Sequence, residues 1–98
     1  MHSAAWRDDS AIVIVWDEDD YAGFTGCCES PVGVNGTVLG GARAPGIVVT
    51  SRHPRHEVAS HPYNHYALLA TIEKIWDLGC LANACGFRGD DLMLEMFR

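Results

Sequence analysis

Apolar residues fall along the chain in two unbroken runs and one periodic stretch. The first run, Ala11–Trp16, reads AIVIVW and does not alternate, so it predicts a strand buried on both faces. The second lies within Ala44–Ser51, APGIVVTS. There Pro45 fixes the start and Ile47, Val48 and Val49 predict another strand buried on both faces. The periodic stretch predicts a helix from Asn64 to Leu78, stopped by Gly79. Its apolar stripe is Leu68, Leu69, Ile72, Ile75 and Trp76, at the i, i+3, i+4, i+7, i+8 spacing of one helix face. His65 falls on that stripe, aimed toward the sheet, while Glu73 and Lys74 fall on the solvent side. A short second helix is predicted at Asp90–Phe97, capped by Asp90 or Asp91.

The remaining chain reads as connection. Met1–Ser10 is a lead-in with Trp6 as a packing residue, and Tyr21–Gly41 is a long loop without periodicity, rich in Gly and Cys. Loops of that length in a small domain are functional or covalently tied. Gly40 and Gly41 suit a close backbone approach or a positive φ. Ser51–His61 is a polar loop carrying His53, His56 and His61. Strands buried on both faces need helices on both sides of their sheet. One long and one short helix cannot cover two faces. The pattern therefore predicts an α/β fold completed by self-association or by more of the same domain.

The chemistry concentrates where the first run ends. Asp17, Glu18, Asp19 and Asp20 follow Trp16 directly, at the carboxyl end of a strand, where α/β sheets place their ligands. Adjacent carboxylates repel unless a cation or a set of donors holds them. Asp17 and Glu18 are the candidate metal ligands. An EF-hand loop does not fit, because its fifth and sixth positions counted from Asp17 are Tyr21 and Ala22. Exonucleases with four catalytic acids disperse them along the chain, so adjacency here does not point to that class. His53, His56, His61 and His65 lie within thirteen positions, but HxxH and HxxxH are weak zinc signals, and Pro62 keeps His61 off the helical face of His65.

Charge and cysteines narrow the partners. With 13 acids against 7 lysines and arginines the net charge is −6, which argues against nucleic acid as a partner. No apolar run reaches the roughly 20 residues of a membrane span. The first ten residues hold Arg7, Asp8 and Asp9 and no apolar core, so they do not read as a signal peptide. Cys27, Cys28, Cys80 and Cys85 permit two disulfides in three connectivities, implying an oxidising compartment. Free buried thiols are the plainer alternative, and the spacing lacks the CxxC of zinc sites.

Three blocks taken together carry a resemblance: WDEDD after an apolar strand, then GGARAPGIVVTS, then HPYNHYALLATIEKIWDLGCL. In this order they resemble the carboxyl-terminal part of the phosphoesterase family, which holds bacterial acid phosphatases and phospholipases C and belongs to the alkaline-phosphatase superfamily. The resemblance runs from about Trp6 to Phe97, and Pro62–Leu78 is its most specific part. It implies that residues 1–98 are a carboxyl-terminal fragment of a phosphoesterase domain: a portion of an alkaline-phosphatase-like sheet-and-helix sandwich, with two buried strands, one long helix and one short helix. It implies hydrolysis of a phosphate-ester substrate and a divalent metal ion, Ca, Mg, Mn or Zn, held partly by Asp17 and Glu18. His65 matches the family's histidine at the helix start and takes a supporting catalytic role. Gly40 to Pro45 matches the segment leading into a strand beside the site, without the histidine that precedes this proline in some superfamily relatives. The family's Glu–Asn motif and its Ser or Thr nucleophile have no counterpart here, so the chain is expected to be inactive alone and to need a missing amino-terminal segment. Family and cysteines imply an extracellular or periplasmic location. A non-catalytic metal- or partner-binding module is the competing expectation.

Overall fold

A computed structural model describes residues 3–18, 43–52 and 55–98. The expectations for the loop Tyr21–Gly41, for Asp19 and Asp20, for Cys27 and Cys28, for Gly40 and Gly41, and for His53 lie outside the described residues. Strand β1 (Ala11–Val15) pairs antiparallel with β2 (Gly46–Thr50), Ala11 opposite Thr50 and Val15 opposite Gly46. Both strands fall within the predicted apolar runs, where β-branched residues favour the extended chain. Ser51 continues the pairing, its amide donating to the Ser10 carbonyl at 2.9 Å and its hydroxyl accepting from the Ser10 amide at 3.0 Å. Arg52 adds exposed ion pairs to Asp8 and Asp9 at 3.7 and 3.3 Å.

The strands are not buried on both faces. Ile14 is 53 % exposed, Ile47 51 % and Trp16 57 %, and only Val13 of β1 is half-buried. A two-stranded ribbon has too little surface of its own to cover these side chains, so the unbroken apolar run is left open.

The helix α1 spans His65–Ile75. Asn64 caps it, its side-chain oxygen accepting from the Ala67 amide at 2.9 Å. It ends earlier than expected. The Leu78 amide reaches back to the Glu73 carbonyl at 2.9 Å and the Trp76 amide to Ile72 at 3.1 Å. Asp77, at φ 52, takes the left-handed position that closes a helix, two residues before Gly79 at φ 79. Asp tolerates that conformation because its short polar side chain bonds locally.

Beyond α1 the chain folds back over it. Cys80 and Cys85 are bonded to each other, and single 3-10 turns follow at Ala82–Gly86, Gly89–Asp91 and Met93–Phe97. The expected short α-helix at Asp90–Phe97 is thus two 3-10 turns broken at Leu92, whose backbone is extended at φ −82, ψ 137. The first and last of the three turns pack on α1, and the last also touches β2.

The buried side of α1 is not the predicted one. Among the described residues the buried set is Ala67, Ala70, Thr71, Glu73, Ala84 and Met93. Small side chains let the turns approach closely. Thr71 completes the joint: its hydroxyl donates to the Ala67 carbonyl at 2.7 Å and accepts from the Met93 amide at 2.8 Å. Leu69, Ile75 and Trp76 of the expected core stripe remain exposed. Glu73, expected in solvent, is 7 % exposed because the chain after Gly79 folds over it, whereas Lys74 is exposed as expected. Tyr63, just ahead of α1, donates to Glu95 Oε1 at 2.9 Å. Desolvation pushes the Tyr63 hydroxyl up to about 12, helped by that hydrogen bond and by the negative charges of Glu95 and Asp90.

Candidate functional site at the end of β1

The antiparallel register sets what stands beside the acids. The ladder ends with Val15 opposite Gly46, so Pro45 comes next to Trp16 at that end. The Trp16 amide donates to the Pro45 carbonyl at 3.4 Å. Arg43, Ala44, Pro45 and Gly46 line an open cavity of about 400 Å³ at this end of the ribbon. Pro45, on the segment matched by resemblance, therefore does lie at the strand end.

Asn64 fixes the first turn of α1, and His65 is the first residue of that turn. Its Nε2–H donates to the carbonyl of Trp16 at 2.7 Å. That carbonyl belongs to the peptide bond joining Trp16 to Asp17. A residue 49 positions away is thus pinned to the backbone immediately before the acidic pair. His65 bonds the end of β1, but it is exposed and not turned into a core as its place on the stripe predicted. With Nε2 committed to a carbonyl, Nδ1 is the ring's remaining acceptor.

Asp17 and Glu18 are both exposed. The Glu18 amide donates to Asp17 Oδ1 at 3.1 Å, and the chain bends at these two residues. His65 thus holds the peptide that Asp17 and Glu18 follow at the end of β1. Of the other described histidines, His61 lies against Tyr63 with ring centroids 4.9 Å apart and planes inclined at 51°, and His56 is exposed in the preceding loop. Among the described residues no group of three His, Cys, Asp or Glu side chains is placed to hold a metal ion. Carboxylates and an imidazole are donor types that divalent ions accept, but here their side chains do not converge on one point.

Arg43 is the site residue that sequence reasoning missed. It stands two residues before Pro45, and only the strand register, continued past Gly46, sets that position opposite Glu18. A guanidinium here is a planar donor set suited to phosphate oxygens.

The Cys80–Cys85 bond selects one pair from the alternatives left open by the cysteine count. No helix among the described residues is long and apolar enough to cross a membrane. No curated protein and no solved structure matches the chain. The model of the Phosphoesterase family matches residues 1–79, and the chain belongs to that family.

Proposed function

From membership of a family named for cleaving phosphoric esters, we propose that this chain supplies the acidic metal-binding edge of a metal-dependent phosphoric ester hydrolase. The observation that carries the reading is the 2.7 Å bond from His65 to the Trp16 carbonyl, which ties α1 to the peptide before Asp17. Asp17 and Glu18 are the residues to hold a divalent ion, Ca, Mg, Mn or Zn, and their charge offsets part of the ion's. Such an ion, when bound, draws charge from phosphoryl oxygens and lowers the pKa of bound water. His65 positions the site: its Nε2–H is held by a backbone carbonyl, the arrangement that commonly orients a histidine whose other nitrogen serves a metal or a proton. Arg43 binds and orients the phosphate-ester group from the neighbouring segment.

The exposed faces of β1 and β2 support the further reading that the ribbon is part of an alkaline-phosphatase-like sandwich, covered in the complete enzyme by an amino-terminal segment or by a second copy. That segment would bring the nucleophile, so the chain alone is expected to turn over little. The disulfide supports an extracellular or periplasmic setting.

The test has two arms. Calorimetric titration of the chain with each divalent ion is expected to show saturable binding that the double variant Asp17→Asn, Glu18→Gln weakens at least about tenfold. The chain joined to the amino-terminal part of a phosphoesterase is expected to hydrolyse p-nitrophenyl phosphate or its bis ester, and the same variant to abolish this. Unchanged metal content and turnover in the variant would overturn the assignment. Tight metal binding with no hydrolysis by the joined protein would favour a non-catalytic metal-binding module.

A further inference from the structure

The tail beyond the matched residues 1–79 returns to the helix start that carries His65. Glu95 lies in the last 3-10 turn, Met93–Phe97, and its Oε1 accepts from the Tyr63 hydroxyl at 2.9 Å across 32 positions. That turn is itself fixed, because the Met93 amide donates to Thr71 at 2.8 Å and the turn touches β2. Tyr63 is half-buried, with the His61 ring at 4.9 Å on its other contact. Desolvation and then Glu95 raise the Tyr63 hydroxyl to about 12, so it remains a protonated donor throughout the neutral range. From Tyr63 the path to the acidic pair is short and stiff. Asn64 is extended at φ −136, ψ 178, and its side chain and carbonyl accept from the amides of Ala67 and Leu68 at 2.9 and 3.1 Å. A residue bonded through both groups has little freedom to turn. Next comes His65, whose Nε2–H reaches the Trp16 carbonyl at 2.7 Å. His65 is exposed, so no core packing locks its ring. Its aim depends on where the helix start is anchored, since a side chain without such a hold spreads over its rotamers.

We propose that Glu95 is a positioning residue for the end of β1: by holding Tyr63 it sets the helix start so that His65 meets the Trp16 carbonyl and fixes the peptide entering Asp17 and Glu18. The proposal rests on the reading of that end as the site. Glu95 is exposed and contributes little packing of its own, so its part is directional.

The experiment follows the Asp17 backbone amide by proton–nitrogen NMR in the full 98-residue chain. That nitrogen belongs to the peptide whose carbonyl takes the His65 bond, so its resonance reports whether the bond is made. His65→Ala marks the bond-free position. Glu95→Ala removes the acceptor and is expected to weaken the His65 bond roughly three- to tenfold, moving the Asp17 resonance at least about a fifth of the way to the bond-free position. Tyr63→Phe keeps the ring and loses only the hydroxyl, and is expected to do the same. Glu95→Gln keeps an accepting oxygen and is expected to stay near the parent. A bond that merely stabilised the tail would lower the urea midpoint in Glu95→Ala and Tyr63→Phe yet leave the Asp17 resonance of the folded chain unmoved, and that result would overturn the proposal. Equal displacement by Glu95→Gln and Glu95→Ala would overturn it too. Divalent-ion titration of the same chains keeps the two readings apart. A responsive Asp17 resonance in a chain that binds no ion upholds the positioning and overturns the metal reading; ion binding with an unmoved resonance does the reverse.

Discussion

The two sides of α1 differ in a way that hydropathy does not anticipate. One side carries Ala67, Ala70 and Thr71, small residues that are buried to 6 % exposure or less. The other carries Leu69, Ile75 and Trp76, large apolar residues that stay 36 to 64 % exposed. Burial follows the partner available, not side-chain size. The carboxyl-terminal turns bring a backbone amide, that of Met93, and Thr71 has the hydroxyl to receive it. A two-stranded ribbon cannot offer the stripe a comparable surface. The small side is where this chain stabilises itself, and the large side is surface available to something else.

Substitutions on the two sides should separate accordingly. The largest effect is expected from Ala67→Leu, which forces a branched side chain into a position 1 % exposed. It should cost about 3 kcal/mol in urea unfolding, and a cost near zero would show that the turns do not hold the helix. Thr71→Val keeps the shape but leaves the Met93 amide unpaired and should cost about 2 kcal/mol in the same measurement.

Next comes a pH effect on the same interface. Tyr63 is raised from 10.0 to about 12 in the folded chain, chiefly by desolvation and then by Glu95. The folded state therefore holds this proton more tightly than the unfolded one. The resulting stability is whole below pH 10.0 and is lost as the pH climbs toward about 12. Tyr63→Phe should remove that decline, and the ultraviolet titration of the parent minus the variant should show one phenolic step near 12. The smallest effect is expected for Leu69→Ala, within about 0.5 kcal/mol, because its side chain already meets water. A loss above about 2 kcal/mol there would mean that the stripe is covered in solution.

Much of this architecture was legible in the residues. Ala11–Val15 and Gly46–Thr50 are strands where β-branched runs predicted them, and Asn64 begins α1 where the periodicity starts. His65 does reach the end of β1, yet it stays exposed, like Leu69 and Trp76 of the stripe from which it was read as inward. What hydropathy missed was tertiary. It reads Leu69 and Trp76 as core because they are apolar, whereas their burial depends on a surface that the described ribbon does not provide. It reads Glu73 as solvated because it is charged, and nothing local signals that the chain beyond Gly79 turns back over it. Helix termination at Asp77 was hidden by the glycine two positions later, a stronger stop signal in sequence terms. Arg43 had no pattern of its own, since its neighbourhood is fixed by strand register.

The double role of the Thr71 hydroxyl has a kinetic consequence. Met93 donates its amide hydrogen to an oxygen that is itself anchored on the helix backbone, at a residue with 0 % exposure. That hydrogen can exchange with deuterium only when the final turns lift away from α1. Its exchange rate thus reads out tail detachment directly, and any ligand that clamps the tail to the helix should slow it in proportion to occupancy.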